Sequence, residues 1–413
     1  MSDIAEEQWL QWIRHRVLEE VANGEHSTFA SLLHGLPGLS PEATLNALHW
    51  LVADGALEAD AHMLISSASE PAAEAMSDPI DIILPPPHPL DHEWRFSLDT
   101  RQWLSDLTSS IAGPRGHVLA LGCPTVAVHL IESKYQGKIT LIDNNPSLPT
   151  LSVTDHYQQI TGDLRNGEAT SVDLASVVIA DPPFYPEHIQ AFLRAASKYA
   201  HHGATVLFSL PPAATRPSAR QDVEDAVLWA SDVGLTHIEV VLGKLRYNRP
   251  PFERNAHRAR GLLGVPDDWR VADLHVFTRS DQPHRHRLDE CEIIDHWTEV
   301  DLGTARWRIR VAGPDSGQML AGHELLQEVV PGNVLDSVSG RDPRRALANV
   351  WTDGNLVWRT QYPHLLLVIL QALADGSDPL RAAQAASDTT SINPSPADLA
   401  AAVDQVQRMV SNR

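Results

Sequence analysis

Asp181, Pro182, Pro183 and Phe184 form a tetrapeptide suited to gripping an amino group. Each proline has a fixed φ and no N–H, so its carbonyl is a rigid acceptor. The Asp181 side chain supplies a third acceptor and the Phe184 ring a flat face; Tyr185 follows as a second ring for a planar or cationic acceptor. An amine held by its two hydrogens has its lone pair aimed at whatever lies opposite. The chemistry such a site performs is nucleophilic attack by nitrogen, with the protein positioning and desolvating rather than forming a covalent intermediate.

A second set of residues marks what the amine would attack. Gly122 follows the run Val118-Leu119-Ala120-Leu121, where a residue without a side chain lets the backbone turn sharply beside a ligand, with Cys123 next in the turn. Asp143 stands 21 positions further on, after Leu141-Ile142 and before Asn144, near the spacing of about 20 at which a carboxylate grips a ribose cis-diol. Asp163 and Leu164 follow another strand-like run and are placed to meet an adenine ring. The first turn is poor in glycine, with Cys123, Pro124 and Thr125 where dinucleotide folds carry further glycines.

The elements that must position these groups alternate along residues 91–280. Strands are expected at His117–Leu121, Lys138–Ile142, Tyr157–Thr161, Leu174–Ala180, Ala204–Leu210, His237–Leu242 and Ala272–Phe277. Helices are expected at Val126–Ser133, Pro186–Tyr199 and Arg220–Val233. That alternation predicts an α/β domain with a mostly parallel sheet, whose ligands sit outside the carboxyl ends of the strands. Residues 1–66 read as a helical domain: Trp9, Ile13, Val17 and Val21 define one face, Ser27 caps a short helix, and Ser40-Pro41 starts a third. Ala56-Leu57-Glu58 with His62-Met63-Leu64 is expected as a small hairpin, giving a winged-helix-like order. Residues 67–90 form a proline-rich linker, and 281–413 a separate α+β domain whose role the sequence leaves open.

Gly122, Asp143, Asp163-Leu164 and Asp181 to Phe184, in that order after successive strands, resemble the class I S-adenosylmethionine-dependent methyltransferases. The resemblance covers about residues 110–280 and implies a Rossmann-like sheet, S-adenosylmethionine as donor, Asp143 on the ribose and Asp181 to Phe184 on the amine. It makes an N-methyltransferase the first reading. Asp163-Leu164-Arg165-Asn166, Asp181-Pro182-Pro183 and Ala191-Phe192-Leu193-Arg194 also look similar to the branched-chain polyamine synthases. That implies, as the alternative, an aminopropyltransferase using decarboxylated S-adenosylmethionine. A third reading is a degenerate methyltransferase fold acting as an interaction module, should the turn at Gly122 hold no donor.

Charge narrows the partners. Thirty-two Lys and Arg against 53 Asp and Glu leave a net −21, which repels nucleic acid at long range. Residues 1–90 carry fourteen acids and only Arg14 and Arg16, and Pro41–Asp54 has no cation at all. A helix reading duplex DNA needs cations for phosphate, so the N-terminal domain is expected to contact a protein or a second copy, or to cover the active site, rather than to read a DNA sequence. One segment runs the other way: residues 244–260 hold six Lys and Arg against one acid. Arg246, Tyr247 and Arg249 there are candidates for binding an anionic part of the acceptor, whether small molecule, protein or nucleic acid. Two cysteines, Cys123 and Cys291, suit a cytoplasmic protein. No apolar run approaches the roughly 20 residues that span a bilayer. His284, His286 and Cys291 do not make a metal site, and no hydrolase elbow or phosphate loop is present.

Overall fold

A computed structural model describes residues 3–24, 26–72, 80–151, 155–166, 172–280, 297–311, 324–387 and 394–411. These pack as two compact units: 1–85, 94–249 and 261–293 in the first, 86–93, 250–260 and 294–413 in the second.

The first unit begins with helices α1 (Asp3–Asn23), α2 (Phe29–Gly35), α3 (Pro41–Ala53) and α4 (Ala59–Ser67). Ile13 and Val17 of α1 are buried with Phe29, Leu32, Leu48 and Leu51, as their spacing requires. Ser40 caps α3 through the Ala43 N–H, with Pro41 as first helical residue. The cap of α2 is Thr28 rather than Ser27: its hydroxyl accepts from Ser31 N, and Ser31 reciprocates. The hairpin expected around His62 is absent, since those residues form α4. Ala61, Leu64 and Ala68 are buried at helical spacing, and Ser67 Oγ accepts from Phe29 N at 2.7 Å. Burial at a period near 3.6 decides the segment for helix, and no wing forms among the described residues.

Beyond α5 (Ile80–Ile83) come β1 (Arg95–Phe96), α6 (Leu98–Ala112), β2 (His117–Leu121), α7 (Pro124–Glu132), β3 (Lys138–Asp143), β4 (Tyr157–Thr161), β5 (Ala175–Ala180), α8 (Pro186–Tyr199), β6 (Ala200–Leu210), α9 (Ala219–Asp232) and β7 (Leu235–Asn248). After α10 (Pro251–Ala259), which belongs to the second unit, β8 (Val271–Arg279) completes the sheet. Its order is β1-β7-β8-β6-β5-β2-β3-β4. Strands β2 to β6 run parallel, and β8, β7 and β1 continue antiparallel. This is a Rossmann-like α/β sheet. Strand β2 is buried at all five positions and β5 at five of six, as the near-continuous apolar runs of a sheet covered on both faces demand. One core lies on each face: Val118, Ala120, Val177 and Ile179 on one side, Leu119, Leu121, Val178 and Ala180 on the other. Strand order reverses at β2, which has β3 on one side and β5 on the other, so the crevice for a ligand opens at the carboxyl ends of these strands.

The second unit is α+β. An antiparallel sheet, β11-β13-β12-β10-β9, is built from β9 (Trp297–Asp301), β10 (Arg306–Arg310), β11 (Gln327–Glu328), β12 (Val350–Thr352) and β13 (Val357–Arg359). Helices α11 (Pro363–Ala374), α12 (Pro379–Ser387) and α13 (Pro396–Ser411) share its core with the stacked rings of Trp307 and Trp358, 5.2 Å apart. Arg306, fully buried, meets Glu299 through Nη2 at 2.8 Å. Arg308 meets Asp91 at 2.8 Å, which ties the segment Pro86–Glu93 into this unit.

Candidate active site at the strand ends

The backbone carries the ladder one step past the strands. Asp181 N donates to Leu121 O at 3.1 Å, Gly122 N to Ile142 O at 2.9 Å, and Gly162 N to Asp143 O at 2.9 Å. These bonds set Asp181, Gly122, Asp143 and Gly162-Asp163 side by side along one edge.

Asp181 is the centre. Its Oδ1 accepts from Tyr247 OH at 2.7 Å and from Ser209 Oγ. Burial pushes the carboxyl up to about 7, against the lowering effect of the two hydroxyls, Ser209 first and Tyr247 second. No cation pairs with it among the described residues. The Tyr247 phenol is itself pushed well above its ordinary value, by burial first and by Asp181 next, so it keeps its proton and remains the donor.

The rest of the tetrapeptide is braced by the protein. The Pro183 carbonyl accepts from Tyr185 N at 2.7 Å and the Phe184 carbonyl from Arg216 Nη2 at 2.9 Å. Arg216 is anchored in turn on Asp222 at 2.6 Å. The carbonyl of buried Pro182 has no protein donor among the described residues, which leaves it beside Asp181 as a second acceptor for a ligand. Phe184 packs against the core cluster of Val118 and Ile179, and Tyr185 is the N-cap of α8.

In the turn after β2 Gly122 has φ +62°, and a Cβ there would lie 3.0 Å from the Phe192 ring and 3.2 Å from Asp181 O. Cys123 is turned inward: its thiol donates to Leu121 O at 3.3 Å. Burial, Asp181 and Asp143, in that order, push it well up and keep it neutral. Asp143 is half-buried, with Oδ1 accepting from Asn145 N at 2.9 Å, so the carboxylate is fixed by an Asx-type turn. Asn144 is exposed, and its neighbour Asn145 is the buried residue of the turn. Asp163 is engaged with its own neighbour: Arg165 donates Nη2 to Oδ2 at 2.6 Å and Nε to Oδ1 at 3.0 Å. The Arg165 hydrogen bonds outweigh burial and hold that carboxyl below its ordinary value. Arg165 Nη1 also lies 3.1 Å from His188 Nε2. Burial and then Arg165 lower His188 to about 4, keeping it neutral. Leu164 packs against the core around Ile189 and Leu193.

The structure therefore gathers Asp181, Tyr247, Gly122, Cys123 and Asp143 into one neighbourhood, and directs the predicted cations elsewhere. Arg249 pairs with Asp267 through Nε and Nη2, each at 3.0 Å. Arg246 Nη1 donates to Asp268 O at 3.2 Å and lies 3.7 Å from that carboxylate. Lys244 sits over the Trp103 ring at 4.8 Å. The remaining cations of the basic segment, Arg254, Arg258 and Arg260, belong to the second unit. Ser209, Arg165, His188 and Arg216 are the site residues that sequence reasoning did not select. Ser209 left one signal, a lone hydroxyl ending the apolar run Val206-Leu207-Phe208. No group of three or more metal-ligating side chains occurs among the described residues; His284, His286 and Cys291 lie outside them. No described helix is long and apolar enough to cross a membrane.

No family model matches the chain, and no curated protein matches its sequence. In structure it is similar to S-adenosylmethionine-dependent methyltransferases and to a branched-chain polyamine synthase. The synthase, from Thermus thermophilus and bound to N4-aminopropylspermidine and 5'-methylthioadenosine, is 14% identical with a TM-score of 0.49. That match covers 71% of this chain and 98% of the synthase. The N-methyltransferase NodS from Bradyrhizobium japonicum, bound to S-adenosyl-L-homocysteine, is 16% identical over 44% of this chain and 86% of its own, with a TM-score of 0.31. A putative RNA methyltransferase from Pyrococcus horikoshii is 12% identical over 50% of this chain and 100% of its own, with a TM-score of 0.34.

Proposed function

We propose that this edge transfers an alkyl group from a sulfonium nucleoside to an amine, with S-adenosylmethionine as donor and N-methylation as the reaction. The observation that carries the reading is Asp181, a carboxyl with no cation paired to it among the described residues, beside the Pro182 carbonyl at the point where strand order reverses. An amine bound there gives one N–H to Asp181 Oδ2 and another to Pro182 O, which turns its lone pair along the edge toward Gly122 and Asp143. The nucleoside end of the donor fits the residues present: Asp143 is a pre-fixed carboxylate for a ribose diol, and the turn at Gly122 runs beside it. When bound, the donor supplies an electrophilic carbon on a positively charged sulfur. As the N–C bond forms, the C–S electron pair returns to sulfur, and the proton shed by nitrogen passes to Asp181 and then to water. A carboxyl at about 7 is well matched to that exchange at neutral pH.

A second reading, aminopropyl transfer from decarboxylated S-adenosylmethionine, is favoured by the charge of the edge. Asp143, Asp163 and Asp181 stand at the carboxyl ends of β3, β4 and β5 and Arg165 is already paired with Asp163, so a donor tail with an ammonium and no carboxylate suits it. Calorimetric titration with both donors and with methylthioadenosine tests the pair. Tighter binding of the intact donor supports methylation, tighter binding of the decarboxylated one supports aminopropylation, and no binding of any of the three refutes the nucleoside site. Asp181→Ala is expected to abolish transfer while leaving nucleoside affinity within about threefold.

A further inference from the structure

Resting on the reading that Asp181 serves amine transfer, we propose that Ser209 and Tyr247 are positioning residues which together clamp Asp181 by one oxygen and hold the other toward the acceptor. The two hydroxyls come from separate strands. Phe208 pairs with Ala180 across β5 and β6, so Ser209 lies one step beyond, alongside Asp181. Tyr247 is on β7, and β8 and β6 stand between it and β5. It spans that distance with a ring stacked on Phe96 at 4.8 Å, while its backbone N–H donates to Arg270 O at 3.1 Å.

Both residues are almost wholly buried, Ser209 at 1% and Tyr247 at 2% exposure. In such places an alanine and a phenylalanine would pack as well and avoid the cost of desolvating a hydroxyl. The hydroxyls are satisfied only because they converge on Oδ1 of Asp181. A carboxyl held by one oxygen has lost its freedom to rotate about χ2, a broad torsion when unrestrained, and Oδ2 then has one direction. Among the described residues, the titratable groups facing the carboxyl are the Tyr247 phenol and the Cys123 thiol, and the thiol is also acted on by Asp143. None of them is a cation. The two hydroxyls are therefore what limits the upward shift caused by burial, and they set basicity as well as direction.

The test is the titration of the Asp181 carboxyl by carbon NMR of the full chain, beside the pH profile of transfer. Removing one hydrogen bond to a carboxylate raises its pKa by about one unit. Tyr247→Phe should thus move the titration from about 7 toward about 8. Transfer should fall about fivefold at pH 7 and less than twofold at pH 9, with the loss in kcat rather than KM. Ser209→Ala should act in the same direction, and Ser209→Thr, which restores a hydroxyl, should recover most of the loss. If both variants leave the Asp181 titration in place and lower the rate equally at every pH, the hydroxyls only fill space and the proposal fails. The NMR arm needs no turnover, so a clamp seen there alongside full transfer by Asp181→Ala would overturn the functional reading and leave the clamp standing.

Discussion

Replacing Asp181 with Asn should stabilise the protein above neutral pH while removing its chemistry. The carboxyl titrates at about 7 in the folded chain against an ordinary 3.8, so the folded state binds more protons than the unfolded one between those values. Stability contributed by the protonated form is complete below about pH 4 and is lost as pH rises through 7. At about 1.4 kcal/mol per unit, a gap of about three units sets an upper bound on the order of 4 kcal/mol. An amide is neutral throughout and still accepts from Ser209 and Tyr247 through its carbonyl oxygen. The difference between the two chains should be no more than about 1 kcal/mol at pH 4.5 and reach about 2–4 kcal/mol in favour of Asn at pH 8.5. Urea unfolding followed at both pH values, read on the transition of the first unit, measures it. A difference that does not change with pH, or one that favours Asp at pH 8.5, would refute the account of a buried carboxyl without a counterion.

Two further outcomes follow from close packing. Gly122→Ala places a Cβ 3.0 Å from the Phe192 ring at a φ of +62°. It should cost about 1–3 kcal/mol and weaken donor binding at least tenfold by calorimetry; an unchanged melting temperature would show that the turn has room. Arg306→Ala leaves Glu299 and Asp91 buried with Arg308 as remaining cation. It should lower the stability of the second unit by about 3–5 kcal/mol, and a loss below about 1 kcal/mol by thermal unfolding would contradict the network.

What could be read from the sequence was what is local. β2 falls on the expected residues because a short apolar run between turn signals leaves few alternatives, and β4 falls on its expected residues too. Asp143 and Asp181 were legible for the same reason: Asp143 ends its strand and Asp181 follows its own directly. β7 was legible only in its middle, since it runs on to Asn248 through two irregularities, between His237 and Glu239 and between Val241 and Leu245, with exposed Ile238, Val240 and Leu242. α6 was not read at all. Arg246 and Arg249 looked like free cations because their acids, Asp268 and Asp267, lie 22 and 18 positions later, and a charge count over seventeen residues does not reach them. Ser209 stands after the apolar run Val206-Leu207-Phe208 with no motif around it to mark it. Its relation to Asp181 exists only through the register of β5 and β6, and one sequence does not display register between parallel strands.

The two ends of the site differ in how much the fold constrains them. The amine end is built from three strands, β5, β6 and β7, and burial together with convergent hydrogen bonds leaves Asp181 one arrangement. The donor end rests on one turn, and there the glycine does not open space. A side chain at Gly122 would meet Phe192 and the Asp181 carbonyl, so its absence lets α8 and the tetrapeptide close against β2. With the Cys123 thiol turned into Leu121, the turn presents backbone rather than functional groups. On the proposed function, recognition of the donor then falls to Asp143 for the nucleoside and to the charge of the edge for the tail. On that function, a carboxylate in the tail meets Asp143 and Asp181, and among the described residues the guanidinium at that edge, Arg165, is committed to Asp163. Burial lifts Asp181 to about 7 and no cation among the described residues offsets it; on the proposed function, that scarcity of cations also bears on which donor the site accepts. A change that brings a cation to the edge should alter both properties together.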